Sequence, residues 1–263
     1  MKKKILLNSL FCIFVAAFIF SAYKIYDIQT KYKQGRDEYD SIFEHAYIPP
    51  ESVHTTENTD TTGAGEAALG VASLVNFQAL KELNSDYVGW LDIPGSSISY
   101  PIVSCGNNDY YLNHTFKNNY NEAGCIFLDY RTADLSARNV IIYGHRMKDG
   151  SMFADLGKYL DEAHYSEYRE VHIYTKTELL VYEVFSVREV YTYDSCYNLN
   201  FADNTAFGAW LKQMKSNSLY ETDLEPVDSA GVITLSTCVT GNRELRCIVQ
   251  AQLVGKYQLV NPS

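Results

Sequence analysis

The folded part of the chain is predicted to consist mainly of short β-strands. Eight apolar segments, rich in β-branched and aromatic residues, follow one another between residues 87 and 254 and are separated by turn residues. In chain order they are YVGWLDIPG, SISYPIV, GCIFLDY, NVIIYG, EVHIYT, LLVYEVFSVREVY, VITLSTC and CIVQAQLV. Many short strands with frequent turns are typical of an all-β barrel or sandwich. We therefore expect a mainly β fold.

Two segments of this region have helical instead of strand periodicity. A short helix is expected over residues 76–84, before the first strand. Residues 203–218 lie between the sixth and seventh strand segments, and their large apolar side chains recur at helical spacing: Phe207, Trp210, Leu211 and Met214. The sequence therefore predicts a helix inserted between strands six and seven.

The N-terminus has the pattern of a membrane anchor. Residues 5–23 contain no charged residue, and three lysines precede them. A helix of this length spans roughly 28 Å, close to the thickness of a bilayer core. The lysines favour a cytoplasmic N-terminus, which places the rest of the chain outside the cell. A cleaved signal peptide is the alternative, but the apolar run is longer than a usual signal core and no small-x-small cleavage site follows it.

The segment after this anchor divides into two parts. Residues 24–47 place Ile and Tyr at loosely helical spacing among charges, which predicts a helix leaving the membrane. Residues 49–70 are rich in Thr, Gly, Glu and Pro, which is typical of a flexible stalk. We therefore expect a cytoplasmic tail over residues 1–4, an anchor over 5–23, a juxtamembrane helix and stalk over 24–70, and an extracellular catalytic domain over 71–260.

Composition and charge narrow the classes of function. Apolar residues make up 46% of the chain, so it can build a core and is not a disordered protein. The net charge of −10 argues against nucleic acid as a partner. Cys12 lies in the apolar N-terminal run, which leaves five cysteines outside it and hence at least one unpaired thiol. Neither CxxC pairs nor zinc-type Cys/His spacing occur, so we expect no metal and no cofactor.

Three residues at strand ends have the chemistry of a nucleophilic site. Cys238 ends the seventh strand segment, Arg246 begins the eighth after the turn Thr240-Gly241-Asn242, and His145 follows the fourth. A thiol with a pKa near 8.5 needs a histidine base or a nearby cation to react well at neutral pH. The alternative is that the cysteine is a small buried hydrophobe, the histidine a loop residue and the arginine ordinary surface charge. Spacing alone leaves both interpretations open.

Several motifs resemble the sortases, the membrane-anchored cysteine transpeptidases of Gram-positive bacteria. TLSTC at residues 234–238, followed by Arg246 at the start of an apolar strand, is similar to the sortase signature. Three further segments match the class B branch in order: residues 86–103, 108–116 and 139–159. The resemblance covers roughly residues 76–255. It implies a sortase-like eight-stranded β-barrel with an N-terminal helical segment and a helix inserted between strands 6 and 7.

The resemblance also implies roles for individual residues. The family's nucleophile falls on Cys238, its histidine on His145 and its arginine on Arg246, which abuts the strand more directly than Arg243 does. The resemblance also matches the family's substrate-binding residues to Asn108, Leu112, Tyr143, Ser236 and Tyr197. Core packing is the alternative role for Leu112 and Tyr143. Cys247 should point away from Arg246 by strand alternation, so we expect it to be buried and inert.

The function implied by the family is cleavage of a sorting signal and transfer to an amine. Class B members commonly cut a C-terminal PxT-type motif, such as NPQTN, after its Thr through a cysteine thioester. They then pass the surface protein to a lipid-linked peptidoglycan precursor amine; a few polymerise pilins. Other classes fit less well. In papain-like proteases the cysteine precedes its histidine and begins a helix, the opposite of the order here, and an inactive surface β-module would leave the Cys–His–Arg set unexplained.

Overall fold

A computed structural model describes residues 2–48, 71–132, 134–239 and 241–260. Four α-helices occur in these ranges: α1 (Lys2–Ala46), α2 (Phe77–Leu83), α3 (Glu162–Glu167) and α4 (Asn204–Ser216). The strands are β1 (Val71–Ala72), β2 (Tyr87–Asp92), β3 (Ser99–Val103), β4 (Ile126–Leu128), β5 (Asn139–Tyr143), β6 (Glu170–Tyr174), β7 (Glu178–Tyr191), β8 (Val232–Val239) and β9 (Asn242–Val260). The predicted stalk, residues 49–70, lies outside the described residues.

Eight of these strands close into a barrel. Their order is β9-β7-β6-β2-β3-β4-β5-β8, and β8 pairs back with β9 to complete the ring. The pairs β3–β4 and β5–β8 are parallel, and the other barrel pairs are antiparallel. The two-residue β1 adds to β9 in parallel, outside the ring. The predicted mainly β fold with an eight-stranded barrel is therefore confirmed.

The barrel is filled by the inward-facing residues of its strands. Closure removes the exposed edges that an open sheet would present. Alternate residues of each strand point inward, so Leu235 of β8 and Val249 of β9 lie in the barrel core, whereas Val232 and Ile248 face outward. The apolar side chains on the outward face of β8 and β9 must therefore be covered by another element, because they would otherwise be exposed to water.

Helix α4 provides that cover at one end of the face. It begins at Asn204 because Asp203 accepts a hydrogen bond from the Ala206 amide at 2.8 Å, a standard N-cap. Its buried residues pack against the outward side chains of β7, β8 and β9: Phe207, Trp210, Leu211 and Met214. The helix lies between β7 and β8, which are the sixth and seventh barrel strands, as predicted. Further along this face Thr234 and Gln250 are also buried, whereas Cys238 near the end of β8 is partly exposed.

Helix α1 combines an exposed apolar half with a half that packs on the barrel. The first half is long and apolar enough to cross a membrane, and its side chains are exposed. In the second half, Tyr39 and Ile42 are buried in the barrel core cluster. The Phe43 ring lies 5.8 Å from the Trp90 ring of β2. The sequence predicts a helix leaving the membrane over residues 24–47, and the structure shows that one side of this helix packs against the barrel.

Candidate active site

Strands β8 and β9 place a thiol and a guanidinium opposite each other. Cys238 and Arg246 are direct partners in the antiparallel ladder, and the register shifts immediately after Cys238. Side chains directly opposite each other in such a ladder lie on the same face, with Cβ atoms about 4.5–5.5 Å apart. Ser236 shares this face because it lies two residues before Cys238. It is the outward face, beyond the end that α4 covers.

The neighbouring strand β5 carries His145 to the same place. β5 runs parallel to β8, with Tyr143 paired to Ser236, so His145 and Cys238 each come two residues after a matched pair. Two hydrogen bonds hold this extension together: the Gly144 amide donates to Ser236 O at 3.3 Å, and Thr237 Oγ1 donates to Gly144 O at 2.8 Å. The two strand ends therefore present histidine and cysteine side by side.

Gly144 is required for this close approach. A Cβ atom at this position would lie 2.4 Å from Ile126 Cδ1 and 2.7 Å from Phe153 Cδ2. Both neighbours are fully buried core side chains that cannot move aside cheaply. The residue before the histidine is thus a glycine because the chain passes directly over the core.

The imidazole of His145 is held by a backbone carbonyl. Its Nε2 lies 2.6 Å from the Leu112 carbonyl oxygen. A carbonyl oxygen only accepts, so Nε2 carries the proton and donates. This contact fixes the orientation of the ring. In the neutral imidazole Nδ1 is then the unprotonated nitrogen, which can accept a proton.

A pocket of about 290 Å³ joins these groups. It is lined by all three predicted catalytic residues and by four of the five predicted substrate residues: Cys238, His145, Arg246, Asn108, Leu112, Tyr143 and Ser236. The Leu112 side chain is 40% exposed, so an apolar surface is available to a ligand here. Asn108 also has a structural contact, because its Oδ1 accepts a hydrogen bond from the Tyr130 amide at 2.9 Å.

Tyr197 lies at the border of this pocket. Its hydroxyl is 3.0 Å from the Ser236 hydroxyl, and it lines a second, more polar pocket of about 440 Å³. Tyr143 and Arg246 line both pockets. The two cavities therefore adjoin each other at Tyr143 and Arg246, and Cys238 lines the smaller one; together they are called the groove below.

A buried aspartate that the sequence pattern does not single out, Asp129, supports this groove. Asp129 accepts two side-chain hydrogen bonds from Arg131, at 2.8 and 2.7 Å, and one from the Tyr143 hydroxyl at 2.9 Å. Burial alone would raise the pKa of Asp129, but the bonds from Arg131 and Tyr143 outweigh it and lower the pKa below its usual value. A charged residue directly after the apolar strand IFL was the available signal.

The same network acts on Tyr143. Burial, followed by the negative charge of Asp129, raises the pKa of the Tyr143 phenol well above its ordinary value. The hydroxyl therefore stays protonated and donates to Asp129. Tyr143 is half-buried and its ring lies 5.4 Å from Phe127, so it both packs in the fold and lines the groove.

The remaining cysteines differ from Cys238 in environment. All six cysteines are free thiols, including Cys105, Cys125 and Cys196. Cys247 is fully buried on the opposite face from Arg246, as predicted, and burial raises the pKa of its thiol to about 12. Burial likewise raises the pKa of Cys125 to about 12. Within the described ranges, no group of three His, Cys, Asp or Glu side chains is arranged to hold a metal ion.

Comparison with known proteins identifies the family. The Sortase domain model matches residues 91–254, more than half of the chain. Sortase B of Listeria monocytogenes is 34% identical over 258 residues, which cover 97% of this chain and 99% of that protein. The crystal structure of sortase B from Bacillus anthracis in complex with AAEK1 matches with a TM-score of 0.70 and 33% identity, covering 86% of this chain and 99% of that one.

A third relative supports the same fold. The structure of Clostridium perfringens sortase B matches with a TM-score of 0.66 and 28% identity, over 68% of this chain and all of that one. The matched family domain contains His145, Cys238 and Arg246. The chain therefore belongs to the sortases, in their class B branch, and is a cysteine transpeptidase of that family.

Proposed function

We propose that this sortase cleaves a C-terminal PxT-type sorting motif, similar to NPQTN, after its Thr and transfers the surface protein to a cell-wall amine. One observation carries the proposal: a thiol and a guanidinium oppose each other across β8 and β9, and the neighbouring strand end brings a histidine beside them. Each of the three groups has a necessary part in acyl transfer from a peptide.

The first half of the reaction forms a thioester. The Cys238 thiolate attacks the Thr carbonyl carbon, and the carbonyl electrons move onto oxygen. The Arg246 guanidinium and backbone N–H groups stabilise that oxyanion. When the oxyanion collapses, the C–N bond breaks and the departing amine takes a proton from His145. Because Nε2 is engaged with the Leu112 carbonyl, we assign this proton to Nδ1.

The second half transfers the acyl group. The amine of a lipid-linked peptidoglycan precursor attacks the thioester carbonyl, His145 accepts the amine's proton, and Cys238 leaves as the thiolate. The two adjoining cavities of the groove, one of them lined by Cys238, support binding of an extended peptide next to the thiol. We assign Asn108, Leu112, Tyr143, Ser236 and Tyr197 to sorting-motif binding on this basis.

The N-terminal helix fits a position at the outer membrane face. We assign residues 1–4 to the cytoplasm, 5–23 to a single-pass anchor, 24–70 to a juxtamembrane helix and stalk, and 71–260 to the extracellular catalytic domain. The exposed apolar half of α1 supports the anchor. Both the sorting signal and the lipid-linked amine are found at that membrane face, so tethering raises the local concentration of both reactants.

The test is a ligation assay with the full chain in detergent micelles. Peptides with an NPQTN-type motif are mixed with a fluorescent amine acceptor, and ligated product is measured by mass spectrometry. We expect product only when the motif Thr is present, and none with Cys238→Ala. A Cys238→Ala protein that still ligates, or the absence of product with every PxT-type peptide, contradicts the proposal. Replacing the acceptor by a lysine-containing pilin segment distinguishes pilin polymerisation from wall anchoring.

A further inference from the structure

Helix α1 holds the tip of the loop that follows His145. Arg36 Nη1 donates to Asp149 Oδ2, an ion pair between residues 113 positions apart. The Asp149 side chain is only 14% exposed. Its other oxygen accepts hydrogen bonds from the Ser151 amide at 3.1 Å and the Ser151 hydroxyl at 2.7 Å. One carboxylate therefore shapes the loop tip and ties it to α1.

A second contact reaches the same loop from α1. The Tyr39 ring packs edge-on against Tyr100 of β3, with ring centroids 5.3 Å apart. The Tyr100 hydroxyl accepts a hydrogen bond from the Met152 amide at 3.0 Å. Met152 has a positive φ of 57°, a conformation that costs a non-glycine residue energy and needs support from its surroundings. The next amide, of Phe153, donates to His145 O at 2.8 Å and closes the loop on the histidine.

The same turn of α1 also contacts residues 117–124, which belong to the segment that follows Leu112. Glu38 accepts hydrogen bonds from the Lys117 amide at 3.0 Å and from Asn119 Nδ2 at 2.9 Å. The Tyr39 hydroxyl donates to Gly124 O at 2.5 Å. These residues follow Leu112, whose carbonyl oxygen accepts the hydrogen bond from His145 Nε2.

The histidine therefore lies between two segments that α1 fixes together. One supplies its backbone and the following loop, and the other supplies the carbonyl that orients its ring. We propose that Arg36 and Glu38 of α1 are positioning residues for His145, so that the membrane-proximal helix sets the placement of the proton-transfer group. This inference rests on the proposed function of His145. Helix α1 then positions an active-site residue in addition to anchoring the chain.

A positioning role predicts a different outcome from a purely structural one. Arg36 is 43% exposed, and exposed ion pairs contribute little to stability. Small displacements of a catalytic group, in contrast, cost about 10²-fold in rate when they approach 1 Å. Breaking the Arg36–Asp149 pair should therefore lower the rate far more than the thermal midpoint.

The test is a charge swap in the full chain in detergent micelles. Arg36→Glu and Asp149→Arg are made singly and together, and kcat and KM for a sorting-motif peptide are measured with the thermal midpoint. Arg36→Glu should lose about tenfold or more in kcat with KM and thermal midpoint nearly unchanged. The double variant, which restores the ion pair but not the two hydrogen bonds from Ser151, should be faster than Asp149→Arg alone. Lys33→Glu is the matched control, because Lys33 is an exposed cation on the same helix.

Three results would overturn the inference. They are a wild-type kcat for Arg36→Glu, an equal loss for Lys33→Glu, and a double variant no faster than Asp149→Arg alone. A readout independent of activity separates this inference from the proposed function. Nitrogen NMR of His145 should report the Nε2–H tautomer in the wild-type protein and exchange between tautomers in Arg36→Glu. An unchanged tautomer signal in Arg36→Glu also refutes the inference, whereas a wild-type protein that never acylates refutes only the proposed function.

Discussion

Cys238 of β8 lies directly opposite Arg246 of β9, and the ladder shifts register immediately beyond them. The pair is fixed by backbone hydrogen bonds of two long strands, so its separation does not depend on a flexible loop. Arg246 Nη1 donates to the Leu245 carbonyl at 3.0 Å, which holds part of the guanidinium against its own strand. The positive charge is thus in place before a substrate arrives, as electrostatic stabilisation of an oxyanion requires.

We predict that Arg246→Ala lowers kcat/KM for a sorting-motif peptide by about 10²- to 10³-fold, the usual loss for one oxyanion-hole donor. Arg246→Lys should recover only part of this, because an ammonium keeps the charge but lacks the planar fork. Steady-state kinetics with Lys256→Ala, an exposed cation elsewhere on β9, provide the control. Near-normal turnover in Arg246→Ala would remove Arg246 from the mechanism.

We predict that Cys247 is dispensable for acylation although it is adjacent to Arg246. Burial raises the pKa of its thiol to about 12, so almost none of it is thiolate at neutral pH. Its Sγ lies 3.5 Å from the Leu156 carbonyl, away from the groove. Cys247→Ala should keep acyl-enzyme formation within about twofold of wild type, whereas Cys238→Ala should abolish it. Loss of acylation in a folded Cys247→Ala protein would contradict the assignment of the nucleophile.

We predict that Tyr197→Phe weakens sorting-motif binding. The change removes the hydroxyl that hydrogen-bonds Ser236 and leaves the buried Ser236 hydroxyl without that partner. Loss of one such hydrogen bond corresponds to about a three- to tenfold loss of affinity, which should appear mainly as a higher KM. Tyr257→Phe, on an exposed part of β9, is the matched control. A Tyr197→Phe enzyme with wild-type KM would exclude the Tyr197 hydroxyl from sorting-motif binding.

Because Asp129 is hydrogen-bonded as a carboxylate, we predict that the free energy of unfolding falls at acidic pH. Its folded-state pKa is lowered, so its contribution is fully present above the unfolded-state pKa of about 3.9 and is lost as the pH falls through the lower folded value. Urea unfolding between about pH 5 and pH 2 should show a shallower decline in the free energy of unfolding for Asp129→Asn than for wild type. Glu44→Gln, which changes an exposed carboxylate on α1, serves as the control. Parallel declines in wild type and Asp129→Asn would contradict this role.

Asp129→Asn should also disturb the groove. Tyr143 would exchange a carboxylate acceptor for a weaker amide, and Arg131 would lose a two-pronged ion pair. We therefore expect a raised KM for the sorting-motif peptide above pH 6, where acid unfolding plays no part. An unchanged KM would restrict Asp129 to a structural role.

The sequence predicted the strands and the proximity of Cys238 to Arg246 because both depend on local pattern. An apolar run, a turn and a second apolar run fix a hairpin, and hairpin register decides which residues oppose each other. His145 was predicted at a strand end from the same pattern. Its placement beside Cys238, however, depends on β5 pairing in parallel with β8, and the family resemblance supplied that information where periodicity did not.

Contacts across long sequence separations were not predictable in this way. The spacing of Tyr39 and Ile42 indicates a helix with an apolar side, but nothing in that spacing says which surface covers it. The Arg36–Asp149 pair joins two charged residues that are 113 positions apart in the sequence and that no local pattern links. Asp129 stands at the end of a predicted strand segment, two residues from Arg131, but its contact with Tyr143 forms only when β4 pairs with β5.

The most direct test of the mechanism is the mass of the acyl-enzyme. The full chain is mixed with an NPQTN-type peptide without an acceptor amine, quenched in acid, digested and analysed by mass spectrometry. We predict an adduct on the peptide that contains Cys238. Its acyl part ends at the motif Thr, and the adduct disappears when an amine is added. Cleavage without such an adduct, or an adduct on another cysteine, would contradict it.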